Sequence, residues 1–124
     1  SVPGYSAFGE YIGNANTINH PDSNGQFVFT GFKPAFILIK SITNANDWGI
    51  RDNARSRFNP RRAVLRWNEE ASSQAEQETA GYAIDFLATG FKLRAAGTET
   101  HAANNRFCYA AFAETPSHLA KAGI

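Results

Sequence analysis

The amino-acid sequence predicts an all-β domain folded as an antiparallel two-sheet sandwich or jelly roll of about eight short strands. Short aromatic and β-branched segments alternate with turns rich in Gly, Asn and Pro, at a spacing of roughly ten residues. The chain has 124 residues, of which 43% are hydrophobic, enough to fill one core but not two. The stretch with helical composition, residues 68–80, lacks an apolar stripe, so we expect a solvated loop or one exposed helical turn there. An open barrel is the weaker alternative.

The first three predicted strands cover residues 5–12, 26–32 and 35–42. The first is aromatic and β-branched but is weakened by a glycine. The second alternates, with Phe27 and Phe29 on one face. The third is a continuous apolar stretch, which indicates a buried strand covered on both faces.

Two shorter strands are predicted at residues 48–52 and 63–67. In the first, alternation places Trp48 and Ile50 on one face, whereas Arg51 and Asp52 point to opposite faces. The next two strands, at residues 82–87 and 91–95, flank a turn and predict a hairpin.

A long aromatic strand at residues 106–114 closes the predicted domain, which covers residues 1–116. The remaining residues, 117–124, form a small-residue stretch, for which we expect a tail that is peripheral or reaches to a neighbour. The lone Cys108 falls in the closing strand, where we expect a small core residue rather than a reactive thiol.

The chemistry-bearing residues predict no enzyme, no cofactor and no metal site. The three histidines have no metal-ligand spacing, and lie at positions 20, 101 and 118. Asp85 has no second acid as a natural mate for glycoside hydrolysis, so we expect an outward-facing side chain bonded to a loop or a neighbouring strand. The oxygen-bearing residues at 44, 46 and 47 are better suited to stabilising a turn than to binding Ca²⁺.

The charge pattern is more informative than the net charge of +1, which argues against a nucleic-acid or polybasic membrane binder. Six arginines crowd one segment: Arg51, Arg55, Arg57, Arg61, Arg62 and Arg66. Four glutamates follow: Glu69, Glu70, Glu76 and Glu78. One interpretation is an ordinary solvated surface of weak local pairs, and another is a subunit contact in which the basic segment of one copy meets the acidic segment of the next. Polyanion binding is the third, weaker alternative.

Three aromatic residues are candidates for stacking on a sugar, namely Trp48, Trp67 and Tyr82. Both tryptophans fall within predicted strands, where packing into the core is the ordinary expectation. The segment of residues 35–39 is the longest pure apolar run and is far too short to span a membrane.

An ordered set of motifs resembles a bacteriophage domain family. The segment GFKPAFILIK at residues 31–40 resembles the family's opening signature, and DWGIRD at 47–52 its "NWxIYD" segment, with Arg51 in place of the usual tyrosine. FNP at residues 58–60 matches a turn of the family. IDFLATGFKLR at 84–94 resembles "xDFLSNGFKLR", and YAAFAETP at 109–116 resembles the closing "YMAFAExP".

This resemblance implies a sandwich-like module of phage tail fibres or other virion surface proteins, without a catalytic role. We therefore expect a structural or attachment protein in a homo-oligomer, a trimer or larger, that contacts other virion proteins on the virion surface after assembly in the host cytoplasm. Its three turn-rich segments are candidate contact surfaces, at residues 13–26, 44–47 and 97–105. The alternative is a carbohydrate-binding module that recognises a glycan of the host surface. No nucleic-acid partner and no membrane insertion are expected.

Overall fold

The computed structural model describes residues 1–14, 25–68, 76–78, 82–95 and 99–116, and of residues 76–78 the backbone alone. These residues form nine strands. The strands are β1 (Ser6–Ile12), β2 (Phe27–Phe29), β3 (Pro34–Ser41), β4 (Gly49–Asp52), β5 (Ala63–Arg66), β6 (Glu76–Glu78), β7 (Ile84–Leu87), β8 (Gly90–Leu93) and β9 (Arg106–Ala113).

The strands form two antiparallel sheets, which confirms the predicted all-β sandwich. The larger sheet has the order β1-β9-β3-β4-β5-β6, and the smaller has the order β2-β8-β7. Non-consecutive neighbours such as β1 and β9 pair along seven positions, from Ser6 with Phe112 to Ile12 with Arg106. The first and last strands of the described fold are therefore joined through the sheet.

Strand β6 corrects the expectation of a solvated loop or helical turn over residues 68–80. Its backbone pairs with β5, with Glu78 opposite Ala63 and Glu76 opposite Leu65. A ladder needs only backbone groups, so a short polar edge strand leaves no hydrophobic alternation in the sequence. The other residues of that segment after Asn68 lie outside the described part of the chain.

The core lies between the two sheets and is built from the alternate residues that strand geometry turns inward. The larger sheet contributes Ile37 and Ile39 from β3 and Phe107 from β9, all with at most 1% of their surface exposed. From the smaller sheet, Phe91 and Leu93 are fully buried. Tyr11 of β1 stacks on Phe107 with ring centroids 5.2 Å apart.

Residues with the opposite parity occupy the outer face of the larger sheet, and they correct two expectations. Phe36 and Leu38 of β3 are half-buried, so the central strand is fully covered on the core side only. Cys108 was expected in the core, but it is half-buried on the outer face, opposite Glu10 and Lys40. Phe107 occupies the core on that strand, and alternation therefore turns its neighbour outward.

Candidate functional site

The hairpin of β4 and β5 continues beyond its last paired residues and brings four polar or aromatic side chains together. They belong to Asp47, Trp48, Trp67 and Asn68. Gly49 lies opposite Arg66 in the ladder, so the next pair in the same register is Trp48 with Trp67. The backbone N–H of Trp67 donates to the carbonyl oxygen of Trp48 at 3.1 Å, which extends the ladder to these residues. One position further, the side chain of Asn68 donates through Nδ2 to Oδ1 of Asp47 at 2.9 Å.

Asn68 also fixes the first tryptophan, because its Oδ1 accepts the backbone N–H of Trp48 at 2.9 Å. Sequence reasoning did not single out Asn68. In an antiparallel hairpin the residue numbers of opposed residues have a constant sum. The pair Gly49 and Arg66 therefore implies that Asp47 lies opposite Asn68.

The two tryptophans are exposed, contrary to the ordinary expectation of core packing. Trp48 has 38% and Trp67 68% of its surface exposed. They share the outer face of the sheet with Ile50, as the alternation predicted, but the core lies on the other face. Their indoles meet edge to face, with centroids 6.5 Å apart and planes at 72°. With Asn68 they line an open pocket of about 470 Å³.

The inner face of the same hairpin carries an ionic cluster centred on Arg66. Its guanidinium contacts the Glu99 carboxylate at 2.7 Å and lies 3.5 Å from Asp47. It also donates to the Tyr82 hydroxyl at 2.5 Å and lies over the ring of that tyrosine. Burial lowers the pKa of Arg66, but the bonds and charges of Glu99 and Tyr82 outweigh it, so the pKa lies above its ordinary value.

Tyr82 is therefore not part of an aromatic platform with the tryptophans. It packs beneath Arg66 on the opposite face of the β4–β5 hairpin, and its prediction as a stacking residue is wrong for this reason. The glutamate of the cluster, Glu99, was not singled out by sequence reasoning and has no local motif that would identify it.

Arg51 is the most deeply buried charge in the described part of the chain. None of its surface is exposed, and its Nε donates to the backbone carbonyl of Tyr82 at 3.1 Å. Burial lowers its pKa to about 10, a shift that the Tyr11 hydroxyl and the Glu99 carboxylate reduce. The guanidinium lies across Gly49, where a Cβ atom would stand 2.9 Å from Nη1. Glycine at position 49 is thus what admits the arginine.

Arg61 is also internal, with 4% of its surface exposed. Its guanidinium lies 4.5 Å from the centre of the Phe86 ring and donates to the carbonyl of Ser56. Burial lowers the pKa of this group too. Its backbone pairs with Ile84 in an isolated bridge, so the residue fastens the preceding loop to β7.

Only three of the six arginines predicted as a basic contact surface are therefore exposed. Arg51, Arg61 and Arg66 are buried within the chain and are corrected from surface contacts to internal supports, because strand alternation and local partners turn their guanidinium groups inward. Three arginines remain exposed: Arg55, Arg57 and Arg62. Of these, Arg55 contacts Asp52 at 3.0 Å. Glu69 and Glu70 lie outside the described residues, and for Glu76 and Glu78 only the backbone is described.

A second exposed aromatic group occupies the outer face of β1, β9 and β3. Phe112 is its centre, with ring contacts to Tyr5, Phe8 and Phe36 at centroid distances of 6.2, 5.8 and 5.9 Å. Phe8 is 54% and Tyr5 44% exposed. We call these four residues the Phe112 cluster. No sequence motif marks this cluster, although the alternation of β1 and β9 separates Phe8 and Phe112 from the inward-facing residues.

Two exposed ion pairs lie on strands that carry the Phe112 cluster or at their ends. Arg106 contacts Glu10 at 2.6 Å, and Lys33 contacts Glu114 at 2.9 Å. The larger sheet thus presents aromatic rings together with charges of both signs.

Asp85 lies on the face of β7 opposite Ile84 and Phe86, as alternation predicts, and bonds to Nε of Arg94 at 2.5 Å just after the neighbouring strand. It is nevertheless 6% exposed rather than outward-facing in solvent, and its Oδ1 has no hydrogen-bond partner.

One of the three histidines, His101, lies in the described part of the chain. His101 is fully buried, and its Nε2 accepts the backbone N–H of Gln26 at 3.4 Å. His20 and His118 lie outside the described residues. Across the described ranges, no three His, Cys, Asp or Glu side chains are grouped closely enough to hold a metal ion. No helix in this part of the chain could span a membrane.

Of the three predicted contact loops, one is fully described. In residues 44–47 the backbone N–H of Asn44 donates to the hydroxyl oxygen of Ser41, and the carbonyl oxygen of Asn46 accepts a hydrogen bond from the ammonium group of Lys40. These bonds belong to a stabilised turn. Most of residues 13–26 and part of 97–105 lie outside the described residues.

The fold and its surface define a class of protein: an antiparallel sandwich domain that carries exposed aromatic groups on the outer face of its larger sheet. The chain belongs to the family DUF7483, a domain of unknown function, whose family model matches residues 1–116. Comparisons with curated proteins and with solved structures gave no match.

Proposed function

We propose that this domain is a non-enzymatic subunit of a bacteriophage particle, with a structural or attachment role in a homo-oligomer on the virion surface. The motifs that resemble phage virion proteins support this role. Residues 31–40 include all of β3 except its last residue, residues 84–94 include β7 and β8, and residues 109–116 include the end of β9. The shared residues therefore build strands and turns rather than a cluster of reactive groups, as suits a family whose common property is its scaffold.

The Phe112 cluster is the observation that carries the proposal. Isolated apolar residues are normal on a protein surface, whereas rings in mutual contact form a patch of the kind found at the centres of protein interfaces. The partner is a second copy of this chain or another subunit of the same particle. We commit to a second copy, because Glu10–Arg106 and Lys33–Glu114 supply charges of both signs to the same sheet, and a surface with both signs is complementary to itself.

A measurement of solution mass by light scattering tests this assembly. The wild-type chain should form a trimer or larger species, and Phe8→Asp should reduce the mass, because it places a carboxylate in an apolar contact. Phe58→Asp is the matched control, since Phe58 is 83% exposed and belongs to the loop before Arg61. A monomeric wild-type chain, or an equal mass in both variants, would contradict the proposal.

The same measurement over a range of salt concentrations separates two kinds of contact. Association through the Phe112 cluster should persist at high salt, because apolar association does not depend on charge. Association through Arg57 and Arg62 against the acidic segment should weaken as salt rises, because exposed charges are screened. Dissociation by salt would therefore favour the predicted contact between basic and acidic segments over the aromatic contact.

Recognition of a host-surface glycan is the second candidate function, and the exposed pair of Trp48 and Trp67 specifically favours it. Exposed indoles beside a hydrogen-bonding amide are suited to the alternating apolar faces and hydroxyl groups of a sugar. Binding to an array of bacterial glycans tests this candidate. Signals should fall in Trp48→Ala and Trp67→Ala, and signals unchanged in both variants would remove the candidate.

A further inference from the structure

The angle between the two indoles bears on the kind of glycan that the tryptophan site accepts. Their planes stand at 72°, with centroids 6.5 Å apart. They therefore form the two walls of a corner and not a flat platform. Edge-to-face contact is a favourable arrangement for aromatic rings, so the pair supports its own geometry.

Hydrogen bonds fix the backbone segments that carry the two indoles. The backbone N–H of Trp67 donates to the carbonyl oxygen of Trp48, and the backbone N–H of Trp48 donates to Oδ1 of Asn68. On the other face of the strands, Asp47 accepts from Asn68 and lies 3.5 Å from the guanidinium of Arg66. These bonds fix the backbone that carries both indoles before any ligand binds, which reduces the entropy lost on binding.

Among the described residues that line the site, few groups are available for hydrogen bonding, and their directions are fixed. Asn68 uses one amide hydrogen on Asp47 and one lone pair of Oδ1 on Trp48, which leaves one donor and one acceptor. A pair of neighbouring sugar hydroxyls offers the complementary acceptor and donor. Lys40, which the register places beside Trp48, directs its ammonium to the carbonyl of Asn46. The described lining of the pocket thus consists of two indoles and an amide, without a charged side chain.

We infer that this corner binds a terminal or branch-point pyranose of a soluble glycan and not the flat surface of a crystalline polysaccharide. One ring can place its apolar face on the more exposed indole, Trp67, while its edge meets Trp48. The ordered surface of a crystalline polysaccharide presents its ring faces in one plane, and walls at 72° cannot both lie against that plane. The pocket of about 470 Å³ also falls within the usual size of small-ligand sites, about 300–1,000 Å³.

This inference rests on the glycan-binding candidate and is tested with the purified full chain against two probes. The first is an array of soluble bacterial O-antigen and capsular polysaccharides, and the second is a suspension of microcrystalline cellulose. We expect binding to at least one soluble polysaccharide, with affinity reduced at least about tenfold in Trp67→Ala, and no sedimentation with cellulose. Trp67→Phe should retain part of the affinity, because it keeps a flat ring.

Two controls separate loss of the corner from loss of the fold or of the assembly. Phe58→Ala removes another exposed ring and should bind like the wild type. The solution mass of Trp67→Ala should equal that of the wild type, so a failure of the assembly proposal leaves this test unaffected. Cellulose binding that depends on Trp67 would overturn the corner geometry, and an array without any signal that depends on Trp67 would overturn the glycan site itself.

Discussion

Buried arginines are the feature of this molecule that depends most on single residues. Arg51 and Arg66 both face the core side of the larger sheet, and Glu99 is the carboxylate that contacts Arg66 and lowers the cost of the charge on Arg51. A charge taken from water is tolerated only with such partners. Gly49 and Tyr82 complete the arrangement, the first by leaving space and the second by offering a carbonyl and a hydroxyl. Arg66 is thus paired with Glu99 and Tyr82, whereas Arg51 donates through Nε alone and its Nη1 and Nη2 have no hydrogen-bond partner among the described residues.

Arg66→Ala should lower the free energy of unfolding by about 3–5 kcal/mol, because it leaves the Glu99 carboxylate, 13% exposed, without its partner. Urea denaturation measures this loss. Arg106→Ala is the matched control, since its pair with Glu10 is more than half exposed and should contribute less than about 1 kcal/mol. Adding Glu99→Gln to Arg66→Ala should restore part of the stability, and similar losses in the two single variants would contradict a special role for the cluster.

The burial of these arginines marks the limit of what the sequence could predict. Alternation correctly separated Asp85 from Ile84 and Phe86, and grouped Trp48 with Ile50. Alternation gives the parity of a residue but not the side on which the second sheet packs. That side depends on contacts between distant segments, and Arg51 and Trp48 were consequently assigned to the wrong environments. Eight of the nine described strands were predictable, because their signals are local, whereas the polar strand β6 carries no such signal.

At the scale of elements, the tetrapeptide TGFK occurs twice, at residues 30–33 and 89–92, and its two copies serve different structural purposes. Gly31 in the first TGFK lies between β2 and β3 with φ of +83°, a conformation that favours glycine. Gly90 in the second begins β8 and lies against β2, where a side chain would overlap the carbonyl of Val28. The two copies also meet, since the carbonyl of Thr89 accepts the N–H groups of Thr30 and Gly31. Recurrent turn chemistry explains the match without an internal duplication.

Gly90→Ala should destabilise the fold by about 3 kcal/mol, because the new Cβ atom forces β2 away from β8 at a backbone atom that cannot move alone. Thermal or urea denaturation measures the change. Gly9→Ala is the control within a strand: its Cβ atom would meet only the ring of Tyr109, at 3.0 Å from the hydroxyl oxygen, and a side chain can shift. We expect a change of at most about 1 kcal/mol there, because the smaller backbone entropy of alanine in the unfolded chain offsets the shift of the ring. A milder effect at Gly90 than at Gly9 would refute this account.

At the scale of the whole molecule, the fold buries an ionic cluster on the core side of the larger sheet and displays two groups of aromatic rings on the outer face of that sheet. The ionic cluster lies under the β4–β5 hairpin, while the Phe112 cluster and the tryptophan corner occupy different regions of the outer face of the larger sheet. The interior thus supports the strands that display both aromatic groups. The two surfaces share no residue in the described structure, so mutations can test the proposed assembly and the proposed glycan binding independently.

His101 links the stability of the whole fold to pH. Burial lowers its pKa below the ordinary value of 6.5, although the backbone of Ala95 opposes part of this shift. The neutral ring accepts the N–H of Gln26, which ties the residues before β2 to the loop before β9. The unfolded chain binds a proton near pH 6.5 and the folded chain only at lower pH, so stability is complete above this range and declines as pH falls through it.

At pH 8 the His101→Gln variant should have a lower free energy of unfolding than the wild type. This difference should therefore shrink as the pH falls from 8 to 5, because only the wild type loses the stability that depends on the neutral imidazole. One histidine can change the free energy of unfolding by at most about 1.4 kcal/mol per pH unit, which sets the upper limit of the slope. Urea denaturation of both proteins at matched pH values measures the difference, and the carboxylates and the other two histidines are common to both, so their contributions largely cancel. A difference that stays constant across this range would mean that His101 has the same pKa in the folded and unfolded chains, and that the bond to Gln26 does not couple folding to protonation.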